Sequence, residues 1–107
     1  MLGLVDALTV LAEPTRRRIV EALRRRESSV SDLVTALDMS QPAISKHLRV
    51  LREAGLVSSR AVAQQRIYRL EAAPFRELDA WLAPYRRLWT RHLESLEHHL
   101  DQKEEQP

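Results

Sequence analysis

Two short amphipathic segments separated by a tight turn constrain the fold of this chain more than any other feature. In the first segment, SDLVTALD, the apolar side chains share one helical face: Leu33, Val34 and Leu37. The turn DMS follows, and the second segment, QPAISKHLRVLRE, repeats the arrangement with Ile44, Leu48 and Leu51. Two helices of this length joined by so short a turn predict a helix-turn-helix over residues 31–54.

Capping residues mark the ends of these two helices. Ser29 and Ser31 are candidate N-caps of the first helix, and Ser40 is placed to cap the second. Pro42 lies in the first turn of the second helix, where the absence of its N–H is harmless. Gly55 follows the last periodic residue and therefore predicts the end of that helix.

Two further helices precede the pair, and a hairpin follows it. Apolar residues at helical spacing predict the first helix over residues 2–12, and Pro14 suits the first position of the second. The segments LVSSRAV and RIYRL alternate like strands on either side of AQQ, which predicts a hairpin over residues 56–70. Because its tip contains no Gly, Asn or Asp, we expect a loop longer than two residues.

The helical period returns over residues 74–100. Pro84 interrupts this segment, and we expect a kink or a break near it because proline removes one helical hydrogen bond. Residues 101–107, DQKEEQP, are expected to form a disordered tail. The fold class is therefore mainly α with a small β-hairpin, in the order α-α-α-α-β-β-α, within a single domain over residues 1–100. This architecture is a winged helix-turn-helix.

Charge is distributed unevenly along the chain. Residues 1–70 contain 12 Lys or Arg and 7 Asp or Glu, whereas residues 71–107 contain 5 and 8. A basic N-terminal part is typical of a nucleic-acid-binding surface, although it also suits an ordinary solvated surface. No cysteine occurs, which excludes disulfides and thiolate metal ligands. The N-terminal segment lacks the pattern of a signal peptide or a membrane span, so we expect a cytoplasmic protein with no membrane partner.

The second helix of the pair turns a polar face outward. Its apolar stripe leaves five residues on the other side: Gln41, Pro42, Ser45, Lys46 and Arg49. In a major groove, Gln can bond an adenine edge and Lys a guanine edge, while Arg49 further along can reach a phosphate. The periodicity alone fits an ordinary solvated helix face equally well.

Three stretches of the sequence resemble the ArsR-type winged-helix repressors: LAEPTRRRIVEAL, SQPAISKHLRVLREAGLV and RIYRL. The likeness covers residues 4–70. It implies base-reading positions at Gln41, Pro42, Ser45 and Lys46. It also implies contacts with the DNA backbone or the minor groove from a second set: Ser40, His47, Arg49, Arg60, Gln64, Gln65 and Arg66. For His47, packing and a phosphate contact remain alternative roles. The predicted hairpin over residues 56–70 corresponds to the wing of this family, and at its tip Gln64 and Gln65 replace the glycine that many relatives have.

The resemblance does not extend to the metal sites of the family. Arsenic-responsive relatives resemble ELCVCDL where this chain reads ESSVSDL, so Ser29 and Ser31 replace both thiolate ligands. At the other common family site, on the last helix, Trp81 and Ser95 occupy two of the four ligand positions. The His and Glu residues near the end of that helix fit an exposed polar face more simply than a metal site. We therefore expect a member of the Cys-free subgroup, with no metal and no cofactor.

Large apolar side chains on the predicted helices 2–12 and 74–100 indicate a homodimer, because a chain of 107 residues cannot cover all of them alone. The predicted seam contains nine residues: Leu4, Leu8, Leu11, Leu78, Leu82, Tyr85, Trp89, Leu93 and Leu96. Part of the last segment could instead line a pocket for an unidentified small-molecule effector, formed by Trp81, Tyr85, Leu88 and Trp89.

The leading hypothesis is a regulator of transcription that binds double-stranded DNA in a sequence-specific manner, as a homodimeric repressor on an inverted-repeat operator. One alternative is a metal-responsive sensor that uses the His and Glu residues of the terminal helix. Another is a protein-interaction winged helix that does not bind DNA. The sequence contains no nucleophile elbow, phosphate loop or paired-carboxylate pattern, so we do not expect an enzyme.

Overall fold

The computed structural model describes residues 3–105. Eight elements lie within that range: α1 Leu4–Leu11, α2 Pro14–Arg25, β1 Ser28–Ser29, α3 Val30–Leu37, α4 Gln41–Glu53, β2 Val57–Val62, β3 Gln65–Leu70 and α5 Ala72–Glu105. The chain divides after Arg76 into two compact units. The described part of the second unit is a single helical segment, which has no hydrophobic core of its own.

The first unit is organised around one apolar core. Helices α2, α3 and α4 pack against one another and bury seven large side chains: Ile19, Leu23, Leu33, Leu37, Ile44, Leu48 and Leu51. Leu56 and Val57 continue the core toward the sheet. Each of these helices thus buries the face that its apolar spacing predicts.

Local hydrogen bonds fix the ends of α3 and α4. Ser29 is the N-cap of α3: its Oγ accepts the Asp32 backbone N–H at 3.1 Å, and Asp32 Oδ2 accepts the Ser29 N–H at 2.9 Å. The Oγ of Ser40 accepts the Ala43 N–H at 3.3 Å at the start of α4. Gly55, at φ 77°, follows α4 in the left-handed region that favours glycine. The predicted helix-turn-helix is confirmed.

The sheet has three antiparallel strands in the order β1-β3-β2, whereas the sequence predicted only the hairpin. The strand that was not predicted is β1, which pairs with β3 through Ser28 opposite Tyr68 and Ser29 opposite Ile67. Two residues are too few to show the alternation that marks a strand, and one of them also caps α3. The observed order is therefore α-α-β-α-α-β-β-α.

The prediction of a hairpin loop longer than two residues is wrong. Val62 pairs with Gln65, which leaves only Ala63 and Gln64 in the turn. Ala63 has a φ of 56°, and Gln64 is not in the positive-φ region. A positive φ in a two-residue hairpin turn is normally supplied by glycine, asparagine or aspartate. Ala63 therefore makes this turn with backbone strain.

Ala63→Gly is expected to raise the thermal stability of the protein. Glycine removes the Cβ that disfavours the left-handed region, a gain of about 1 kcal/mol, which corresponds to roughly 4–8 °C in Tm for a domain of this size. Thermal unfolding followed by circular dichroism measures the shift. As a control, Ala61→Gly in strand β2 should lower Tm, because glycine weakens a strand interior. A lower Tm for Ala63→Gly would contradict the assigned strain.

Helix α5 is one continuous element, so the alternative that Pro84 breaks it into two helices is wrong. Proline removes a single hydrogen bond, and the residues on both sides of it are good helix formers that continue the helix. The helix also extends through residues 101–105, where we expected a disordered tail; residues 106 and 107 lie outside the described range. Although α5 is long, neither it nor any other described helix is long and apolar enough to cross a membrane.

Candidate nucleic-acid interface

Helix α4 presents one polar face to solvent. Its buried residues Ile44, Leu48 and Leu51 are at most 1% exposed, which fixes the rotation of the helix about its axis. The other side is exposed and contains the five residues predicted to face outward: Gln41, Pro42, Ser45, Lys46 and Arg49. The side chains near the helix N-terminus are short apart from Gln41 and Lys46, so a DNA duplex can approach the backbone closely there.

The N-terminus of α4 is suited to a phosphate. The positive end of the helix dipole attracts anions, and the Gln41 backbone N–H is available to one, whereas Pro42 has no N–H and the Ala43 N–H is bonded to Ser40. The Oγ of Ser40 accepts a hydrogen bond from the Ala43 N–H, and its own hydrogen remains to donate to a second group. Ser40 can therefore cap the helix and bind a phosphate oxygen at the same time.

His47 lies between α4 and the start of α2. Its side chain is 19% exposed, and its Nδ1 atom is buried without a hydrogen-bond partner in the described part of the chain. The Glu13 Oε2 atom lies 3.8 Å from that nitrogen and accepts the Arg16 backbone N–H at 2.9 Å as the N-cap of α2. That hydrogen bond lowers the pKa of the Glu13 carboxyl, against the opposing effect of burial. This placement favours the packing role of His47.

The strand register separates Arg60 and Arg66, the two wing arginines that were predicted to contact DNA. Arg60 pairs with Ile67, and the next residue, Ala61, pairs with Arg66. Because successive side chains of a strand point to opposite faces, Arg60 and Arg66 lie on opposite faces of the hairpin. Gln65 shares the face of Arg60. The structure therefore does not bring the predicted wing residues together on one surface.

Three of the predicted DNA-contacting arginines have partners within the protein that were not predicted from the sequence. The Arg60 guanidinium lies 2.7 Å from Glu27 Oε2. The Nε atom of Arg49 lies 3.1 Å from the Oε1 atom of Glu53, one helical turn later on α4. Arg66 donates to the hydroxyl of Ser59 at 3.2 Å. No local sequence signal connects Glu27 to Arg60, since the two residues come together only through the sheet.

The residues considered for metal binding have other surroundings. Ser29, at one of the two replaced thiolate positions, is 3% exposed and caps α3. On the terminal helix, His98 hydrogen-bonds to Gln102 at 3.0 Å. Among residues 3–105, no group of three or more His, Cys, Asp or Glu side chains is arranged to hold a metal ion.

Helix α5 exposes a row of large apolar side chains. Those at 49% exposure or more are Tyr85, Trp89, Leu93, Leu96 and Leu100. Trp81 packs against Tyr85 with ring centroids 5.1 Å apart, yet both are about half exposed, so they do not enclose an effector pocket within one protomer. Of the predicted seam, Leu78 is buried within the protomer, at 7% exposure, and has little surface to offer a partner.

The helical core of the first unit matches a known family. A sequence profile described as bacterial regulatory protein, arsR family, matches residues 13–59. That range contains α2, β1, α3 and α4 together with the first residues of β2. The matched part therefore includes the helix-turn-helix and the helix that packs behind it.

Individual relatives extend the likeness over most of the chain. The HTH-type transcriptional regulator Rv2034 of Mycobacterium tuberculosis is 40% identical over 87 residues, which cover 81% of this chain and 78% of that protein. The arsenical resistance operon repressor of Escherichia coli is 42% identical over 80 residues, or 74% of this chain and 65% of that protein. An ArsR-like transcriptional regulator from Rhodococcus sp. RHA1 superposes with a TM-score of 0.70 at 33% identity, covering 89% of this chain and 90% of that structure. These similarities confirm the winged helix-turn-helix architecture.

Proposed function

Since this chain belongs to the ArsR family of bacterial regulatory proteins, we propose that it is a homodimeric repressor that binds an inverted-repeat DNA operator. Its family and relatives are regulators of transcription, not enzymes. The observation that supports the proposal most directly is the N-terminal half of α4, which is packed tightly on one side and exposes Gln41, Ser45 and Lys46 on the other. The cytoplasm, where a bacterial chromosome lies, is the proposed location.

In the proposed complex, α4 lies in the major groove. Gln41 bonds the edge of an adenine and Lys46 the edge of a guanine, since these pairings match their donors and acceptors. Ser40 and Arg49 bind phosphates and so position the helix without reading sequence. Arg60 and Arg66 add phosphate contacts from the wing.

The dimer is proposed from the exposed apolar row of α5. The helix has 34 residues and is therefore about 50 Å long, and its large apolar side chains recur at spacings of three and four along most of that length. A row of this kind is typical of a helix that packs against another protein surface. A second copy of the chain supplies an identical apolar row, and exposed Val5 and Leu8 of α1 add to the available apolar surface.

A two-fold dimer presents two α4 helices to successive major grooves, with half-sites about 34–36 Å apart. Footprinting should therefore find an inverted repeat with that spacing. A single unrepeated half-site would contradict the dimeric mode of binding. Repression is preferred to activation because the Escherichia coli relative is named a repressor.

Fluorescence anisotropy tests the proposed function. The purified protein, without added ligand, is titrated against DNA from the region upstream of its own gene and against a shuffled duplex, at several salt concentrations. We expect tight, salt-dependent binding with a preference for the upstream DNA, because base contacts add to the phosphate contacts that all duplexes share. Equal and weak binding to both duplexes would instead favour the protein-interaction alternative.

A further inference from the structure

One carboxylate contacts a wing arginine that is predicted to bind DNA. The Glu27 Oε2 atom is 2.7 Å from Arg60 Nη1, and the two side chains are 42% and 53% exposed. We infer that Glu27 competes with DNA phosphates for Arg60 and thereby limits the affinity of the wing for DNA. The inference rests on the proposed function, and it concerns a residue to which neither the sequence pattern nor the family likeness assigned a role.

The sheet explains how these two residues meet. Strand β3 lies between β1 and β2, and Ile67 pairs with Arg60 on one side and with Ser29 on the other. Glu27 precedes Ser29 by two residues and so lies just before β1. The Arg60 side chain therefore reaches across β3 toward the start of β1, away from the tip of the wing.

The charges of Arg60 and Arg66 are consequently compensated to different extents. The guanidinium of Arg60 is neutralised by a carboxylate, whereas Arg66 donates to the uncharged hydroxyl of Ser59. The Arg60–Glu27 pair is partly exposed, and exposed ion pairs contribute little to stability. A phosphate can therefore displace Glu27. The displaced carboxylate then remains close to the phosphate backbone, where like charges repel.

Glu27→Gln tests the inference, because it removes the charge and keeps the size of the side chain. We expect the affinity for DNA to rise about 1.4- to fivefold per wing, which is the range that exposed charge pairs span. The rise should be the same for operator and shuffled duplexes, since phosphate contacts contain no sequence information. The slope of log K against log salt concentration should become steeper by about one per wing.

Two further variants make the test specific. Glu21→Gln is the matched control, because it changes the net charge equally and breaks a similar pair, with Arg24 at 2.9 Å on the outer face of α2. It should leave the affinity unchanged. In an Arg60→Gln background, Glu27→Gln should also have no effect, since the arginine for which it competes is absent.

The outcomes separate this inference from the proposed function. If the wild-type protein binds its operator but Glu27→Gln changes neither affinity nor salt slope, the inference is wrong and the proposed function stands. An equal rise in affinity for Glu21→Gln, or a rise that persists without Arg60, would also overturn it, because net charge alone would then explain the effect. If neither the wild-type protein nor any variant binds a duplex, the proposed function and the inference both fail.

Discussion

Trp89→Glu is expected to convert the protein into a monomer and to lower its affinity for an inverted-repeat operator about a hundredfold or more. Trp89 is 64% exposed in the protomer, so the protomer should fold without it. In the proposed dimer, burying the exposed part of Trp89 contributes about 2–4 kcal/mol, and burying a carboxylate in its place adds a desolvation cost. Two protomers that are no longer linked bind the two half-sites independently, and so lose the high effective concentration that a dimer provides at the second half-site.

Analytical ultracentrifugation gives the oligomeric state, and anisotropy titration gives the operator affinity. Ala80→Glu is the matched control, because Ala80 is exposed and lies nine positions before Trp89, on the opposite side of the helix. It introduces the same charge and should leave a dimer with normal affinity. A dimeric Trp89→Glu variant, or a monomeric Ala80→Glu variant, would rule out the proposed seam.

Lys46→Ala and Arg66→Ala are expected to weaken DNA binding in two different ways. Loss of a base contact by Lys46 should cost about 1–3 kcal/mol per half-site and relax the preference at one base pair. Loss of a phosphate contact by Arg66 should weaken all duplexes alike and flatten the salt slope by about one per wing. Lys46 and Arg66 are both exposed, so neither change should unfold the protein.

Titration of each variant against a set of operators, each with one altered base pair, distinguishes the two effects. Arg24→Ala serves as the control, because Arg24 pairs with Glu21 on α2, away from the polar face of α4. If both variants reduce the affinity for every operator by the same factor, the division between base reading by α4 and phosphate binding by the wing is incorrect.

The helical core could be predicted from sequence because its signals are local. A cap side chain acts on a backbone N–H three residues away, and an apolar stripe repeats within one helix, so a single stretch of sequence contains the whole signal. Ser40, Pro42 and Gly55 therefore bounded α4 correctly. The outward face of α4 followed from the same stripe, since the buried side determines the exposed side.

The remaining contacts depend on residues that the fold brings together from distant positions. Glu27 meets Arg60 only through a sheet whose shortest strand has two residues, and Glu13 approaches His47 only because α2 packs on α4. The two-residue turn at Ala63 was missed for another reason. Its conformation is costly for alanine, so no favourable local preference announces it.

The opposite placement of Arg60 and Arg66 has a consequence for operators. The minor groove of DNA has phosphates on both walls, about 6 Å apart. A ribbon inserted edge-on directs Arg66 toward one wall and, once a phosphate has displaced Glu27, Arg60 toward the other. Its binding energy then depends on the distance between the walls. In the proposed complex the wing would respond to groove width, and the preferred operators would extend into A·T-rich flanks, where the groove is narrow, although no side chain reads a base there.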